Sequence, residues 1–348
     1  MMIPPYRARL HRLLLSLAAA YNLAFAAWTV FAPQAFFEWF EMDPPRYPAI
    51  WRCLGMVVGV YGLAYAYAAR RLDRAVPFVL LGLIGKVLGP IGWVMTVHSG
   101  EWPIRTFTLI LFNDLVWWLP FTLLLLEGTA LGARLRGVAA GACATANFLA
   151  AVAMALLLRP GTEVIGDVGR RIAYLTVHPL AWRLGWGIWV TAALALLAFY
   201  AWWGAFVPRQ RTAIAAFLLA TAGLCADLLA ESLYIGWLPH RYTTIAPLAR
   251  LLTGAVGNGL YTVAGIVLTA ATPALPGGLR WCGWGIWGAG LVLSACSLVG
   301  DAMGMALSTA VLFVLFPPWV VLMGRTLGAR TQVDRSEQGD GRAIGGAP

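Results

Sequence analysis

Charge is scarce in this chain. Only 11% of its 348 residues are Asp, Glu, Lys or Arg, against about a quarter in an ordinary soluble domain, while 60% are hydrophobic. That balance excludes a water-soluble domain as the main body. Lysine is reduced to a single residue, Lys86, and the net charge of +10 is carried by arginines scattered through short polar stretches. No basic face forms, which argues against nucleic acid as a partner. Cysteine is sparse as well. The five residues Cys53, Cys143, Cys225, Cys282 and Cys296 stand singly, without CxxC or paired spacing, so neither a disulfide framework nor a cysteine-based metal site is expected. They read as small packing residues inside a bundle. P-loop and HExxH motifs are missing. Gly257-Asn258-Gly259 has no strand before it and is no dinucleotide site.

What the chain does have is a succession of apolar runs close to 20 residues, the length needed to cross about 30 Å of hydrocarbon at 1.5 Å per helical residue. Barrel strands would alternate apolar and polar residues, whereas runs such as 13–31 are apolar on nearly every side. The expectation is an all-α, polytopic membrane helix bundle of ten transmembrane helices. Spans are expected near 13–32, 50–69, 77–97, 106–126, 138–158, 184–205, 213–238, 247–271, 282–299 and 303–323. Arg7, Arg9 and Arg12 precede the first run in the manner of a secretory signal. The run outlasts the roughly 7–15 residues of a signal core, so an uncleaved first span is expected.

Alternate loops divide the arginines unequally, 15 on the side of the N-terminus and nine on the other. The positive-inside bias then puts both termini in the cytoplasm, and an arginine-rich, lysine-poor chain with short loops suits a bacterial inner membrane. The last pair of spans is the ambiguous one, because only Gly300 and Asp301 interrupt residues 281–324. A single span there would make nine helices and send the tail arginines outward, so two spans with a turn at Asp301 are preferred. The polar stretch 127–136 divides the chain into a four-helix unit (1–130) and a six-helix unit (131–329). Residues 330–348 read as a disordered cytoplasmic tail.

Ionisable groups inside spans are costly and mark candidate sites. Lys86, mid-span, needs a partner, and helical rise puts Asp114 in the next span within reach of its side chain. Such a pair either binds a ligand or relays protons, or else locks two helices together. Gly82, Gly85, Gly89 and Gly92 would supply close packing. Pro90 cannot donate to the Lys86 carbonyl, which is thereby free to line a small polar cavity. In the seventh span Asp227, Glu231 and Tyr234 fall at i, i+4 and i+7, one helical face. Arg250 is the candidate partner of Glu231, and Asn258 with Tyr261 would extend the polar stripe. His98, His178 and His240 map to the outer side but at no metal-binding spacing. Gly55 and Gly59 form a GxxxG pair, a signal for close helix packing.

Residues 10–127 carry a further signal in Trp51-Arg52-Cys53-Leu54-Gly55-Met56, Val60-Tyr61-Gly62, Gly82-Leu83-Ile84-Gly85-Lys86, Gly89-Pro90-Ile91-Gly92 and Asn113-Asp114-Leu115-Val116-Trp117-Trp118. In these the first unit resembles the short four-helix, DoxX-like bacterial membrane proteins. The resemblance implies a membrane bundle and no established activity. Peroxide reduction, a name attached to some proteins of that kind, would need a reactive cysteine system or a flavin fold, and the chain has neither.

The resulting expectation is a small-molecule permease using Lys86, Asp114, Asp227 and Glu231, with Tyr234 and Arg250 at the ligand. The alternatives are a membrane-embedded enzyme acting on a lipid or quinone, and a noncatalytic assembly partner. Partners expected are the bilayer and a small-molecule or lipid ligand. No catalytic residue is assigned, and no motif specifies a cofactor or an oligomeric state.

Overall fold

The computed structural model describes residues 5–343, with side chains as far as residue 329. Among the described residues every regular element is helical, and ten helices are long and apolar enough to cross a membrane. They are α1 (Pro5–Phe31), α2 (Pro48–Arg70), α3 (Leu72–His98), α4 (Ile104–Leu125), α5 (Ala139–Gly161), α6 (Pro179–Phe206), α7 (Gln210–Gly236), α8 (Tyr242–Ala271), α9 (Gly277–Val299) and α10 (Ala302–Ala329). The protein is therefore a multi-pass helical membrane protein, the architecture in which each segment satisfies its own backbone groups. The helical backbone of α10 continues to Ala343. The tail expected at 330–348 lies outside the residues whose side chains are described.

The chain separates into two compact units, Met1–Leu135 with α1 to α4 and Arg136–Pro348 with α5 to α10. The division falls within the short helix Ala130–Gly137.

In the first unit α1 lies along α2 because α2 presents glycine at each crossing point. A side chain at Gly55 would strike Thr29, one at Gly59 would meet Ala26 at 3.1 Å, and one at Gly62 would meet the Ala19 carbonyl at 3.2 Å. The GxxxG pair thus packs inside the unit. Thr29, buried at this contact, turns its hydroxyl back to the Phe25 and Ala26 carbonyls, both at 3.0 Å. Leu15, Ala18, Tyr65, Val79 and Phe121 fill the space among the four helices. Of the four α3 glycines only Gly82 and Gly89 are close-packed, against Tyr65 and Asp114. Gly85 and Gly92 face open space, contrary to the expectation of a four-glycine seam.

The second unit has an aromatic core. Phe199, Trp203, Trp287, Phe316 and Trp319 meet with ring centroids 5.5–6.4 Å apart. Each indole N–H finds an acceptor: Trp203 on Thr272 (3.0 Å), Trp287 on Thr269 (2.8 Å) and Trp319 on the Leu279 carbonyl (2.8 Å). Buried indoles without such acceptors would each cost about 1–3 kcal/mol.

The turn between α9 and α10 is set by local chemistry. Gly300 adopts a left-handed conformation (φ 76°) that ends α9, and Asp301 starts α10 by accepting the Met303 and Gly304 amides at 3.1 and 3.0 Å. Asp301 thus caps α10 at the turn expected between the last two spans. Among the cysteines Cys143 is fully buried, whereas Cys53 and Cys225 are exposed on the outer surfaces of their helices, so the buried reading holds for only part of the set.

Candidate functional site

Three membrane helices contain a π-helical turn: Leu111–Leu115 in α4, Met154–Leu158 in α5 and Leu251–Gly257 in α8. A π turn widens the ring of main-chain hydrogen bonds and shifts every later side chain around the axis, which is why such turns gather at functional positions. Here each one carries polar or cavity-lining residues.

The α4 turn holds Asn113 and Asp114. Lys86 Nζ stands 3.9 Å from Asp114 Oδ1 and donates to the Asn113 carbonyl, while the Asn113 amide donates to Asp114 Oδ1 at 2.8 Å. Both charged side chains are more than nine-tenths buried. Gly89 makes room for the acid, since a side chain there would meet Asp114 Oδ2 at 2.6 Å. The carbonyl that Pro90 releases at Lys86 does not open onto a polar cavity. It accepts the Trp118 indole N–H at 3.0 Å. The neighbouring Trp117 donates to the Phe112 carbonyl at 3.0 Å, covering the π turn in the same way. The Lys86, Phe112 and Asn113 carbonyls are thus each taken up by a side chain, while Asn113 Oδ1 is buried without a hydrogen-bond partner among the described residues.

A second buried cluster in the first unit escaped the sequence reading. The first helix begins at Pro5, earlier than the expected span, and carries Arg7 and His11 inward. Glu127 Oε2 sits 2.7 Å from His11 Nε2 and 3.5 Å from Arg7 Nη2. Glu127 is buried and is no part of a solvated link. The signal available was the capacity of Arg7, His11 and Glu127 to neutralise one another at one end of the bundle, but their separation of 116 residues hid it.

The six-helix unit contains a cavity of about 730 Å³, lined by residues from all six of its membrane helices. Aromatic and aliphatic side chains form most of its wall, with Trp182, Trp186, Trp189, Tyr234 and Trp287 among them. Trp186 stacks on Tyr234 at 4.2 Å, and Trp182 donates to the Tyr234 carbonyl at 2.9 Å, so α6 and α7 hold each other's wall residues in place.

Polar groups enter this wall at few points. Asp227 is buried; its Oδ1 accepts the Thr253 hydroxyl from the α8 π turn, and its Oδ2 lies 3.5 Å from the Tyr261 hydroxyl. Gly257 and Gly223 permit this approach, for a side chain on Gly257 would meet Asp227 Cβ at 3.2 Å. Asn258, one turn along, donates to the Gly290 carbonyl (2.7 Å) and to Ser294 (2.9 Å), tying α8 to α9.

Glu231 is wholly buried, 0% exposed, and neither of its carboxyl oxygens has a hydrogen-bond partner among the described residues. It does not pair with Arg250. That arginine instead contacts Glu163 (Nε to Oε1, 3.9 Å) and donates to the Ser297 carbonyl, joining α8 to the 162–178 connection and to the end of α9. Helix geometry explains the difference: Glu231 faces inward with Asp227, while the competing acid Glu163 lies in the loop at the same end of the unit as Arg250. The loop helix Val168–Val177 is anchored beside it, where Arg171 donates to the Tyr242 hydroxyl at 2.9 Å and Tyr242 to the Gly161 carbonyl at 3.3 Å.

The six candidate site residues thus fall into two places. Lys86 and Asp114 meet in the first unit; Asp227, Tyr234 and Arg250 line one cavity in the second, with Glu231 one turn from Asp227 and behind the wall. Among the described residues no three His, Cys, Asp or Glu side chains gather closely enough to hold a metal ion.

Fold and cavity together define a multi-pass membrane protein with a partly enclosed, mainly apolar chamber in its six-helix unit. No family model, curated protein or solved structure matches the chain.

Proposed function

We propose that the six-helix unit binds an apolar or amphipathic small molecule drawn from the bilayer, of lipid or quinone type. The observation that carries this reading is the cavity. Its volume of about 730 Å³ lies within the roughly 300–1,000 Å³ of small-molecule sites, and it combines an apolar wall with a few convergent polar groups, as such sites do. Asp227, held by Thr253 and Tyr261, supplies the hydrogen-bonding group at depth. A carboxyl that also keeps Glu231 as an unsatisfied neighbour is an arrangement that packing alone would remove.

A binding chamber is favoured over a permeation path by the aromatic core. Trp287 and Phe316 form part of the cavity wall and interlock behind it with the buried Trp203 and Trp319, and a solute crossing the unit there would have to part them. The Lys86–Asp114 lock belongs in this reading to the stability of the first unit, whose DoxX-like resemblance fits a membrane scaffold.

The test is ligand-induced stabilisation. Protein delipidated and returned to phosphatidylcholine nanodiscs is expected to gain thermal stability on addition of a long-chain quinone, fatty acid or isoprenoid alcohol. Asp227→Asn combined with Tyr261→Phe is expected to reduce that gain. No stabilisation by any of the three, with flux of a polar solute in proteoliposomes, would instead establish the permease. The orientation proposed, both termini in the cytoplasm of a bacterial inner membrane, rests on the arginine distribution. Reporter fusions to the loops after α5 and α7 test it, since both should report the outer side.

A further inference from the structure

The residues of the cavity wall are not all interior. Met303, Leu307 and Val314 of α10 line the cavity and are 65%, 62% and 70% exposed; Ala155 of α5 and Ala310 of α10 are likewise exposed lining residues. A side chain can both line the chamber and face outward where the wall is one side chain thick and interrupted. Along α10 these positions span Met303 to Val314, about 16 Å of the half of the membrane nearer the α9–α10 turn.

The packing of α5 against α10 shows why the wall opens there. At the opposite end of the unit the two helices are in direct contact, with Gly324 against Ala140 so close that a side chain on the glycine would meet Ala140 Cβ at 2.7 Å. Midway, Phe313 packs against the small cluster formed by Ala146, Ala150 and Ala192. Beyond it α5 passes into the π turn at Met154–Leu158, where Met154 and Ala155 line the cavity. A cleft closed at one end by small residues and lined at the other by exposed side chains opens sideways.

Arg159 stands at the top of this cleft, the residue directly after the π turn. It lines the cavity, is exposed, and its guanidinium makes no hydrogen bond or ion pair to another described residue, whereas Arg250, which also lines the cavity, is engaged with Glu163 and Ser297. With Glu163 taken up by Arg250, Arg159 is left as an uncompensated cation at the edge of an apolar chamber, chemistry suited to an acidic head on an apolar tail.

Resting on the reading of the cavity as a ligand site, we propose that its ligand is a single-chain anionic amphiphile that enters sideways from the bilayer between α5 and α10. Its head is held at Arg159 and its chain lies among Trp186, Trp189 and Tyr261. The chamber then never needs to open to water.

The probes are a photoactivatable alkyne-tagged fatty acid and the matching fatty alcohol, mixed into phosphatidylcholine nanodiscs holding the full chain. Cross-linked peptides are mapped by mass spectrometry as a function of time before illumination. Labelling of α6 and α8 cavity peptides is expected, with the acid favoured several-fold over the alcohol in the wild type and equal to it in Arg159→Gln. Ala310→Trp, which fills the cleft from its exposed side, is expected to slow cavity labelling at least tenfold without changing the plateau. Leu291→Trp, on the exposed face of α9 away from the cleft, is the control and is expected to change neither. Cavity labelling at an unchanged rate in Ala310→Trp overturns the lateral route while leaving the ligand site standing. Equal labelling by acid and alcohol in the wild type overturns the anionic head. Labelling confined to outward-facing residues, with the cavity untouched, overturns both the route and the site.

Discussion

The indole Nε1 of Trp118 donates to the main-chain carbonyl of Lys86 at 3.0 Å, the carbonyl that Pro90, four residues on, leaves without its helical donor. A proline in a membrane helix is tolerated when a neighbour takes up the freed group, and here that neighbour is one particular side chain. Trp118→Phe keeps an aromatic side chain at this position and removes the indole donor. It is expected to destabilise the first unit by about 1–2 kcal/mol, and Pro90→Ala, which restores the helical donor, should recover most of the loss. Thermal unfolding of the single and double variants in detergent decides this; additive losses contradict it.

The same helix offers a test of packing in which the chemistry is held constant. Gly89→Ala places a methyl group 2.6 Å from Asp114 Oδ2, whereas Gly85→Ala meets nothing within 4 Å. The first is expected to cost about 1–3 kcal/mol and the second to be neutral or to stabilise by up to about 1 kcal/mol through helix propensity. Equal melting temperatures for the two variants would show that α3 does not approach α4 as described.

Lys86 and Asp114 form a pair whose members are each costly alone. Lys86→Met leaves a buried carboxyl beside Asn113 and is expected to destabilise by about 3 kcal/mol, with Asp114→Leu in the same chain recovering at least half. A double variant no more stable than Lys86→Met would mean that the two groups do not serve each other.

Glu231 reverses the usual expectation for a buried acid. Both of its oxygens lack partners, so replacing it by leucine removes an unsatisfied polar group and should raise stability by about 1–3 kcal/mol. Ligand-induced stabilisation should fall in the same variant if the acid is kept for the site at the expense of the fold. Thermal denaturation with and without ligand measures both; a large loss of stability would reveal a partner for the carboxyl.

Asp227, one turn away, should behave in the opposite sense. Thr253→Val deprives it of the hydroxyl supplied by the α8 π turn and is expected to cost about 1–3 kcal/mol, while Thr253→Ser is expected to be nearly neutral. Similar losses in both variants would point to packing of the threonine methyl group as the cause.

Hydrophobic length is written into the chain directly, and the ten spans follow from it because a bilayer leaves a twenty-residue apolar segment no other way to satisfy its backbone. Gly300-Asp301 was legible for a similar reason: a left-handed glycine and an N-capping aspartate act within four residues of each other. Helical periodicity likewise put Asp227, Glu231 and Tyr234 on one face. Periodicity says which residues share a face and nothing of what stands opposite. The choice of Glu163 over Glu231 by Arg250, the burial of Arg7 and His11 on Glu127, and the capping of the Lys86 carbonyl by Trp118 each join residues 32 to 120 positions apart. The three π turns also carry no signature in the sequence, since they answer to neighbouring helices. Above all, a cavity is the space that six helices leave unfilled, a sum over packing that no single segment encodes. The sequence by itself determined a multi-pass bundle with a few buried charges; only the tertiary structure decided that Lys86 and Asp114 are locked by their surroundings while Asp227 looks into an open chamber, because that difference lies in what the neighbouring helices bring against each residue.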